Sequence, residues 1–452
     1  MSASASPEIL THRAILQRAW PIIVANATVP LLGLVDTAVI GNLGSASDLG
    51  AIALGSLVFN FLYFGLNFLR MSTTGFIAQA AGANDEAEAL AVLLRALGLA
   101  ALLGLGIVLL KRPLELVSLQ LLHGSPEVER NAGQYVSIRL WAAPATLCTH
   151  VARGALIGLG YSRQLLLLET SLNAVNLALN LLLVGGLGWG ARGVATGTAL
   201  AEWLGAALAL YIVYHRLRER HAAMGSKAWR ELVSLARVRD PRQLASLFSA
   251  NTDILVRTLC LLFGFGYFTN QSASFGDSVL AGNHVLLQFL SFSAFFLDGY
   301  ANVAESLVGA AIGAGRRALL DRAVRRSSEL AALSALALAV LLLAGGPYAI
   351  ALLTDLRAVR GAANAQLPMA ALYVGLSFVA FQLDGIFIGA TRTRAMRNAS
   401  IASASVFVAA AWLLAARHGN RGLWSAFILF VIARALALLL YYPGLRRSIR
   451  GP

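Results

Sequence analysis

Long apolar runs, separated by short polar and basic breaks, set the pattern of this chain. About 20 mostly apolar residues cross a bilayer as one helix. By that rule helices are predicted over 14–41, 50–81, 91–110, 130–158, 162–186 and 192–214. A polar, basic stretch follows, and six more helices are expected over 244–270, 279–312, 328–353, 362–389, 395–416 and 422–442. The pattern therefore predicts an all-α integral membrane protein of twelve transmembrane helices. Residues 1–214 would form one six-helix lobe, 215–243 a basic cytoplasmic linker, and 244–452 a second six-helix lobe.

The two lobes repeat each other. A shift of 231 positions lays LGAIALGSLVFNFLYFGLNF at 49–68 on LAGNHVLLQFLSFSAFFLDG at 280–299, and carries Gly82, Ala83 and Ala87 onto Gly313, Ala314 and Ala318. The same shift carries Gly154, Ile157, Gly158 and Arg163 onto Gly385, Ile388, Gly389 and Arg394. With six spans in each half, the repeats share one membrane orientation and are related by a pseudo-twofold axis along the membrane normal, an arrangement found in secondary transporters.

Composition agrees with a lipid solvent. Hydrophobic residues make up 58% of the chain and charged ones 13%, against about 25% charged in soluble proteins. The net charge of +14 comes from basic residues placed between apolar runs, so it reads as membrane-surface anchoring and not as a nucleic-acid face. Lys and Arg concentrate in alternate loops, those holding Arg95, Arg163, the linker, Arg316–Arg326 and Arg392–Arg397. The positive-inside bias then places both termini in the cytoplasm of a bacterial-type inner membrane. Cys148 and Cys260 lie in separate apolar runs and predict neither a disulfide framework nor a metal site. The N-terminal stretch lacks a short apolar core followed by a small-residue cleavage site, so the first helix is expected to be retained.

Few motifs carry chemistry. Gly188, Gly190 and Gly193 match GxGxxG, but a dinucleotide site needs that pattern between a strand and a helix, and here it falls in a turn between spans. There is no Walker A sequence, HExxH or cysteine-based zinc spacing, so neither ATP-driven pumping nor metal hydrolysis is expected, no cofactor is called for, and an ion gradient is the expected driving force. Three GxxxG pairs, Gly154/Gly158, Gly309/Gly313 and Gly385/Gly389, predict close helix crossings. Pro21, Pro30, Pro144 and Pro368 can bend membrane helices.

Ionisable residues inside apolar spans are the most informative, since even lenient scales charge about 2.5–3.5 kcal/mol for one at a helix centre. Asp36 has no basic residue in its helix nearer than Arg18. It is either an ion-coupling carboxylate, because a desolvated carboxyl holds a proton more readily, or a structural hydrogen-bonded acid. Asn173, Asn176 and Asn180 share one helical face, and Thr196, Thr198 and Glu202 in the next span could extend that polar stripe. The stripe suits a cavity or ion site, or interhelical hydrogen bonds of modest strength. In the second lobe Asp253 and Arg257 stand one turn apart, Asp298 and Glu305 two turns apart, and Asp384 lies in the tenth span. Asp253–Arg257 pairing is one reading, Arg257 serving Asp298 or Asp384 is another, and the group Asp253, Arg257, Asp298, Glu305 and Asp384 is also a secondary candidate for a part in transport. Arg70 and Arg153 read as snorkelling residues, and His150 and His284 as ordinary buried or interfacial histidines.

The segments VPLLGLVDTAVIGNLG at 29–44, FLRMSTTGFIAQAAGA at 68–83 and LDGIFIGATRTRAMRN at 383–398 resemble the DinF branch of the multidrug and toxic compound extrusion (MATE) family. The resemblance covers nearly the whole chain. It implies two six-helix lobes, alternating access, and export of diverse, often cationic, organic compounds in exchange for protons or sodium ions. It further implies that Asp36 is the ion-coupling carboxylate, grouped with Asn176, Asn180 and Thr198. Pro21 resembles the family's bend proline in the first helix. Many relatives have Asp where this chain has Asn180, which weakens a sodium site and makes protonation of Asp36 the simpler coupling event. The function expected is thus proton-coupled export of small amphipathic molecules by a monomeric secondary transporter, with no nucleic-acid partner. Sodium coupling, and a lipid-linked precursor flippase using Arg70, Arg153 and Arg257, are the alternatives. A membrane enzyme is disfavoured because no nucleophile, base or metal set converges.

Overall fold

The computed structural model describes residues 10–121, 125–223 and 234–449, so the middle of the predicted linker, 224–233, lies outside the described residues. The described chain is helical throughout and contains no strand. It begins with α1 (His12–Leu43), α2 (Ala46–Leu66), α3 (Phe68–Gly82), α4 (Glu86–Leu109), the short α5 (Lys111–Leu121), α6 (Pro126–Leu140), α7 (Ala143–Gly158) and α8 (Ser162–Asn180). A π-helical segment, Leu181–Gly186, continues α8, and α9 (Gly190–Ala223) and the one-turn α10 (Leu235–Val238) follow. The remainder comprises α11 (Pro241–Ala273), α12 (Asp277–Gly313), α13 (Arg317–Leu353), α14 (Arg357–Gly389) and α15 (Thr393–Ser448). α15 is two helices joined at Gly419, whose φ of 56° and ψ of −138° are not helical.

Each predicted span falls on these elements. The second is split between α2 and α3, the fourth between α6 and α7, and the last two share α15. Among the described residues, nine helices are long and apolar enough to cross a membrane. Sequence pattern merged α6 and α7 because both flanks of the break at Trp141–Ala142 are apolar. Pro21 is buried within α1, which stays helical through it.

The helices group into two compact units, one of Val24–Phe248, the other of Ser249 onward together with residues through Ile23. The first twelve residues of α1 therefore belong with the C-terminal helices.

Within each unit the 231-residue repeat reappears as geometry. Three pairs of positive-φ turn residues come in register: Asn84 with Gly315, Gly160 with Thr391, and Gly188 with Gly419. Asn and Gly adopt that conformation readily, whereas a β-branched residue does so only under constraint. Thr391, with φ 52°, is thus held by the same tight helix-to-helix turn that Gly160 makes in the first unit. The close crossings are also in register. In the first unit α7 meets α3 so tightly that a Cβ at Gly154 would strike the carbonyl oxygen of Arg70, and one at Gly158 that of Thr74. In the second, α14 meets α12 with Gly385 on the carbonyl of Ala301 and Gly389 on that of Glu305. Every member of this quartet lies 231 positions from its counterpart. The predicted GxxxG pairs in α7 and α14 are therefore crossing points at which only backbone fits.

The cores are built differently. Val39, Ile40, Ile52, Phe59, Tyr135, Val184 and Val194 pack together in the first unit. The second contains an aromatic cluster in which Phe427 contacts Phe265, Phe268, Tyr373, Phe407 and Trp424.

Candidate functional site

In the first unit α1, α8 and α9 bring four of the predicted residues into one buried chain. Asn180 donates its side-chain amide to Asp36 Oδ1 at 2.6 Å and to Asn176 Oδ1 at 3.1 Å, and Asn176 donates in turn to Thr198 Oγ1 at 3.0 Å. Asp36 is 5% exposed, Asn176 and Asn180 0%, and Thr198 2%.

Local sequence explains the convergence. Asn176 and Asn180 are one turn apart on α8, so their amides stack along one face. Gly197 on α9 leaves space for them, since a Cβ there would collide with Asn180 Oδ1. Directly after Asn180 the helix widens into the π-helical segment, a distortion that recurs at functional sites. Gly197 and this widening were not legible in the sequence. The small residue one position before Thr198 was the available signal for the first.

Asn173, placed with this cluster by its spacing, is only half-buried and donates instead to the backbone carbonyl of Thr28 at 3.4 Å. It ties α8 to α1 two turns before Asp36 and takes no part in the hydrogen-bonded chain. Thr196 also leaves the stripe, since its hydroxyl returns to the carbonyl of Arg192 on its own helix.

Sequence reasoning missed Arg139. It lies on α6 and binds Glu202 of α9 at 2.6 Å, donates to the Tyr135 hydroxyl at 3.1 Å, and lies over the ring of Phe59 at 4.5 Å. Arg139 and Glu202 are the charged groups whose fields reach Asp36. The pair is 11% and 12% exposed at the side chains. An arginine within the fourth span and a glutamate within the sixth were the signal, since buried charges are usually found paired. Further along the unit Arg153 binds Glu169 at 2.8 Å. Arg153 is therefore half of an ion pair and not a snorkelling side chain.

In the second unit, of the two readings for Arg257, pairing with Asp253 does not form and service to Asp384 does. Asp253 accepts from Arg397 at 2.7 Å and from the Thr393 hydroxyl at 2.9 Å, both in the first turns of α15. Arg257 reaches across to Asp384 of α14. An i,i+4 spacing puts two side chains on one face, but partners on neighbouring helices won both of them. Arg434 on α15 lies 3.9 Å from the same Asp384 oxygen. Glu305 is buried on α12 at the crossing with Gly389, and Asp298 lies two turns earlier on the same helix. His150 is buried against Tyr63, and His284 meets Gln288 one turn on.

The 231-residue register shows how far the two units have diverged. Asp36, Asn176 and Asn180 correspond to Tyr267, Phe407 and Ala411, and the Tyr267 and Phe407 rings stand edge to face at 5.6 Å. One scaffold thus carries a carboxylate–amide chain in the first unit and an aromatic contact at the equivalent place in the second. Among the described residues no group of three or more His, Cys, Asp or Glu side chains could hold a metal ion.

Comparison with known proteins agrees with this architecture. The MatE family model matches residues 21–182 and again 254–413, one match in each half. The DNA damage-inducible protein F of Escherichia coli is 36% identical over 430 residues, 95% of this chain and 91% of that protein. Protein DETOXIFICATION 44, chloroplastic, of Arabidopsis thaliana is 25% identical over 94% of this chain and 80% of its own length. Among solved structures, an outward-facing multidrug resistance MATE family transporter of the MOP superfamily superposes with a TM-score of 0.85 at 19% identity, covering 98% of this chain and 97% of that one.

Proposed function

Because this chain belongs to the MatE family, and is thereby a multi-pass secondary transporter of small molecules, we propose that it exports amphipathic, often cationic organic compounds in exchange for protons, with Asp36 as the coupling carboxylate. The observation that supports this reading is the closed chain Asp36–Asn180–Asn176–Thr198, which contains one carboxylate and three neutral partners.

Asn180 acts as a double donor, and its Oδ1 has no hydrogen-bond partner. That polarity suits an ionised Asp36, which only accepts. Once Asp36 takes up a proton it becomes a donor, and rotation of the Asn180 amide would turn Oδ1 toward it. A single proton thus reverses the direction of a hydrogen bond between α1 and α8. Neutralising the carboxylate also removes the charge that makes reorientation of the site costly in a low-dielectric interior. A cationic substrate and a proton then compete for one carboxylate, which yields antiport without a covalent intermediate. Arg139 and Glu202 cancel each other beside it, so the net charge of the site is that of Asp36.

A sodium ion would draw on the Asp36, Asn176, Asn180 and Thr198 oxygens, but with one carboxylate among them. The flippase alternative has less support, since Arg153 is engaged by Glu169 and Arg257 by Asp384. We place the protein, as a monomer, in a bacterial inner membrane with both termini cytoplasmic, on the loop-charge bias.

The test is substrate-triggered proton movement in inverted membrane vesicles at a fixed pH gradient, with and without sodium. Dissipation of the gradient by an organic cation without sodium, absent in Asp36→Asn, is expected. A mutant that behaves like the parent makes Asp36 structural, and a strict sodium requirement replaces the proton.

A further inference from the structure

We propose that Glu202 is a second proton-accepting carboxyl of the first unit, and that its protonation hands the Arg139 guanidinium from Glu202 to Asp36. The inference rests on Asp36 as the coupling carboxylate and adds the group that takes the proton from it.

One apolar layer fixes where these residues lie. Ile40 of α1, Phe59 of α2, Tyr135 of α6 and Val194 of α9 belong to a single buried cluster. One helical turn from each stands a polar side chain: Asp36, Tyr63, Arg139 and Thr198. The hydrogen-bonded chain from Asp36 to Thr198, and the fields of Arg139 and Glu202 at Asp36 and Tyr63, put these side chains on one side of the layer. Glu202 follows Thr198 by one more turn of α9, and its Oε1 accepts from Arg139 at 2.6 Å. Its Oε2 is buried without a hydrogen-bond partner, as is Nε of Arg139. The arginine also donates to the Tyr135 hydroxyl at 3.1 Å, which brings no charge. The other titratable side chains facing this layer are Tyr63 and, against its ring, His150 of α7, while α8 presents the Asn176 and Asn180 amides.

Two acids and one base are thus buried within one another's fields. The arginine can neutralise either acid but not both, so the acid that holds a proton decides which one the arginine serves. With Glu202 ionised, Arg139 stays on it and Asp36 is open to a cation or a proton. When the proton leaves the Asp36 carboxyl for Glu202 Oε2, one O–H bond breaks, another forms, and the net charge of the site does not change. The cost of burying charge therefore does not oppose the step. Arg139, released by neutral Glu202, then pairs with Asp36. A cation is refused there until Glu202 gives up its proton and reclaims the arginine. The proton must depart before the cation is taken, which is the order that an exchanger needs.

The test uses ethidium, an amphipathic cation of fixed charge, and the full-length protein, with equilibrium binding in nanodiscs without a gradient and proton-driven uptake into inverted membrane vesicles. Glu202→Gln imitates the protonated acid and should weaken ethidium by about tenfold or more, since Arg139 then stays on Asp36. Arg139→Gln combined with Glu202→Gln removes the charge that bars the cation. Binding should return to within about threefold of the parent, while uptake stays about tenfold slower or more because the proton has lost its second acceptor. This uncharged pair serves if the single variant fails to fold. Parental affinity in folded Glu202→Gln overturns the proposal, as does parental uptake by the double variant or its failure to recover binding. Asp36→Asn separates this inference from the reading it rests on. If that variant binds and moves ethidium like the parent, or the parent binds none, export through Asp36 falls and this inference with it. Loss of both in Asp36→Asn beside an unaffected Glu202→Gln overturns this inference alone.

Discussion

Asn180 reaches from the last residue of α8 to Asp36 Oδ1 at 2.6 Å, the shortest link in the buried chain that joins α1 to α9. Asn180→Leu keeps much of the side-chain volume and removes both donated bonds. A buried carboxylate left without its donor costs about 1–3 kcal/mol. Proton-driven export in vesicles is expected to fall at least tenfold in this variant, while Asn173→Leu, whose side-chain amide donates to the Thr28 carbonyl and stands outside the buried chain, retains most of the parental rate. Equal losses in the two would remove Asn180 from its assigned place.

Arg139 and Glu202 form a buried pair, and burial makes such a pair asymmetric in its response to mutation. Removing one partner strands a charge and destabilises by about 3–5 kcal/mol, whereas replacing both with apolar groups is often close to neutral. Arg139→Met and Glu202→Leu should therefore each lower the thermal midpoint in detergent, and the double variant should recover much of the loss. Strict additivity of the two single losses in thermal stability would show that the pair does not act as one unit.

The span pattern, the repeat and the Asn176–Asn180 face were readable because each rests on periodicity, and Asp36 because it is a charge in an apolar run, while the joining of Asp36 to Asn176, Asn180 and Thr198 was implied by the MATE resemblance. What escaped was chemistry decided between helices. Spacing left Arg257 open between Asp253 and an acid on another helix, and Asp384 on α14 takes it, but the partners of Asp253, Thr393 and Arg397 on α15, were not foreseen. Arg139 was missed because nothing along the sequence ties an arginine inside the fourth predicted span to Glu202 in the sixth. The π-helical turn after Asn180 leaves no pattern in LLLVGG that distinguishes it from ordinary helix.

Gly154 and Gly385 occupy equivalent crossings, against the carbonyls of Arg70 and Ala301. Alanine at either would have to push two backbones apart, and overpacking of this kind typically costs about 1–3 kcal/mol. Gly98 on α4 has nothing within 4 Å of its would-be Cβ. Thermal unfolding of Gly154→Ala, Gly385→Ala and Gly98→Ala should show two similar losses and one change within about 1 kcal/mol, since alanine is by itself the better helix former. A tolerant Gly154 or Gly385 would mean that the paired crossings are looser than the backbone contacts indicate.

Asp85, in the turn between α3 and α4, fastens α10 to the first unit. It accepts from Arg237 at 2.9 Å, while Arg95 donates to the Arg237 carbonyl at 2.8 Å. Partial burial tends to raise the Asp85 carboxyl, but the backbone amide of Glu88 and the Arg237 guanidinium outweigh it and hold the group below the usual carboxylate range. A carboxyl whose folded pKa is depressed contributes stability above its unfolded value of about 3.9 and loses that contribution as pH falls through the folded value. Because both side chains are more than a third exposed, the tie is worth only about 0.2–1 kcal/mol. Hydrogen exchange at Val238 and Arg239, whose amides donate to the carbonyls of Ser234 and Leu235, should show steady protection, after correction for intrinsic rates, from neutral pH to about 5. Protection should then decline by a fewfold in acid, whereas Asp85→Asn should start at the lower level and stay flat. Matching profiles for the parent and Asp85→Asn would assign the anchoring of α10 to the Arg95 bond alone.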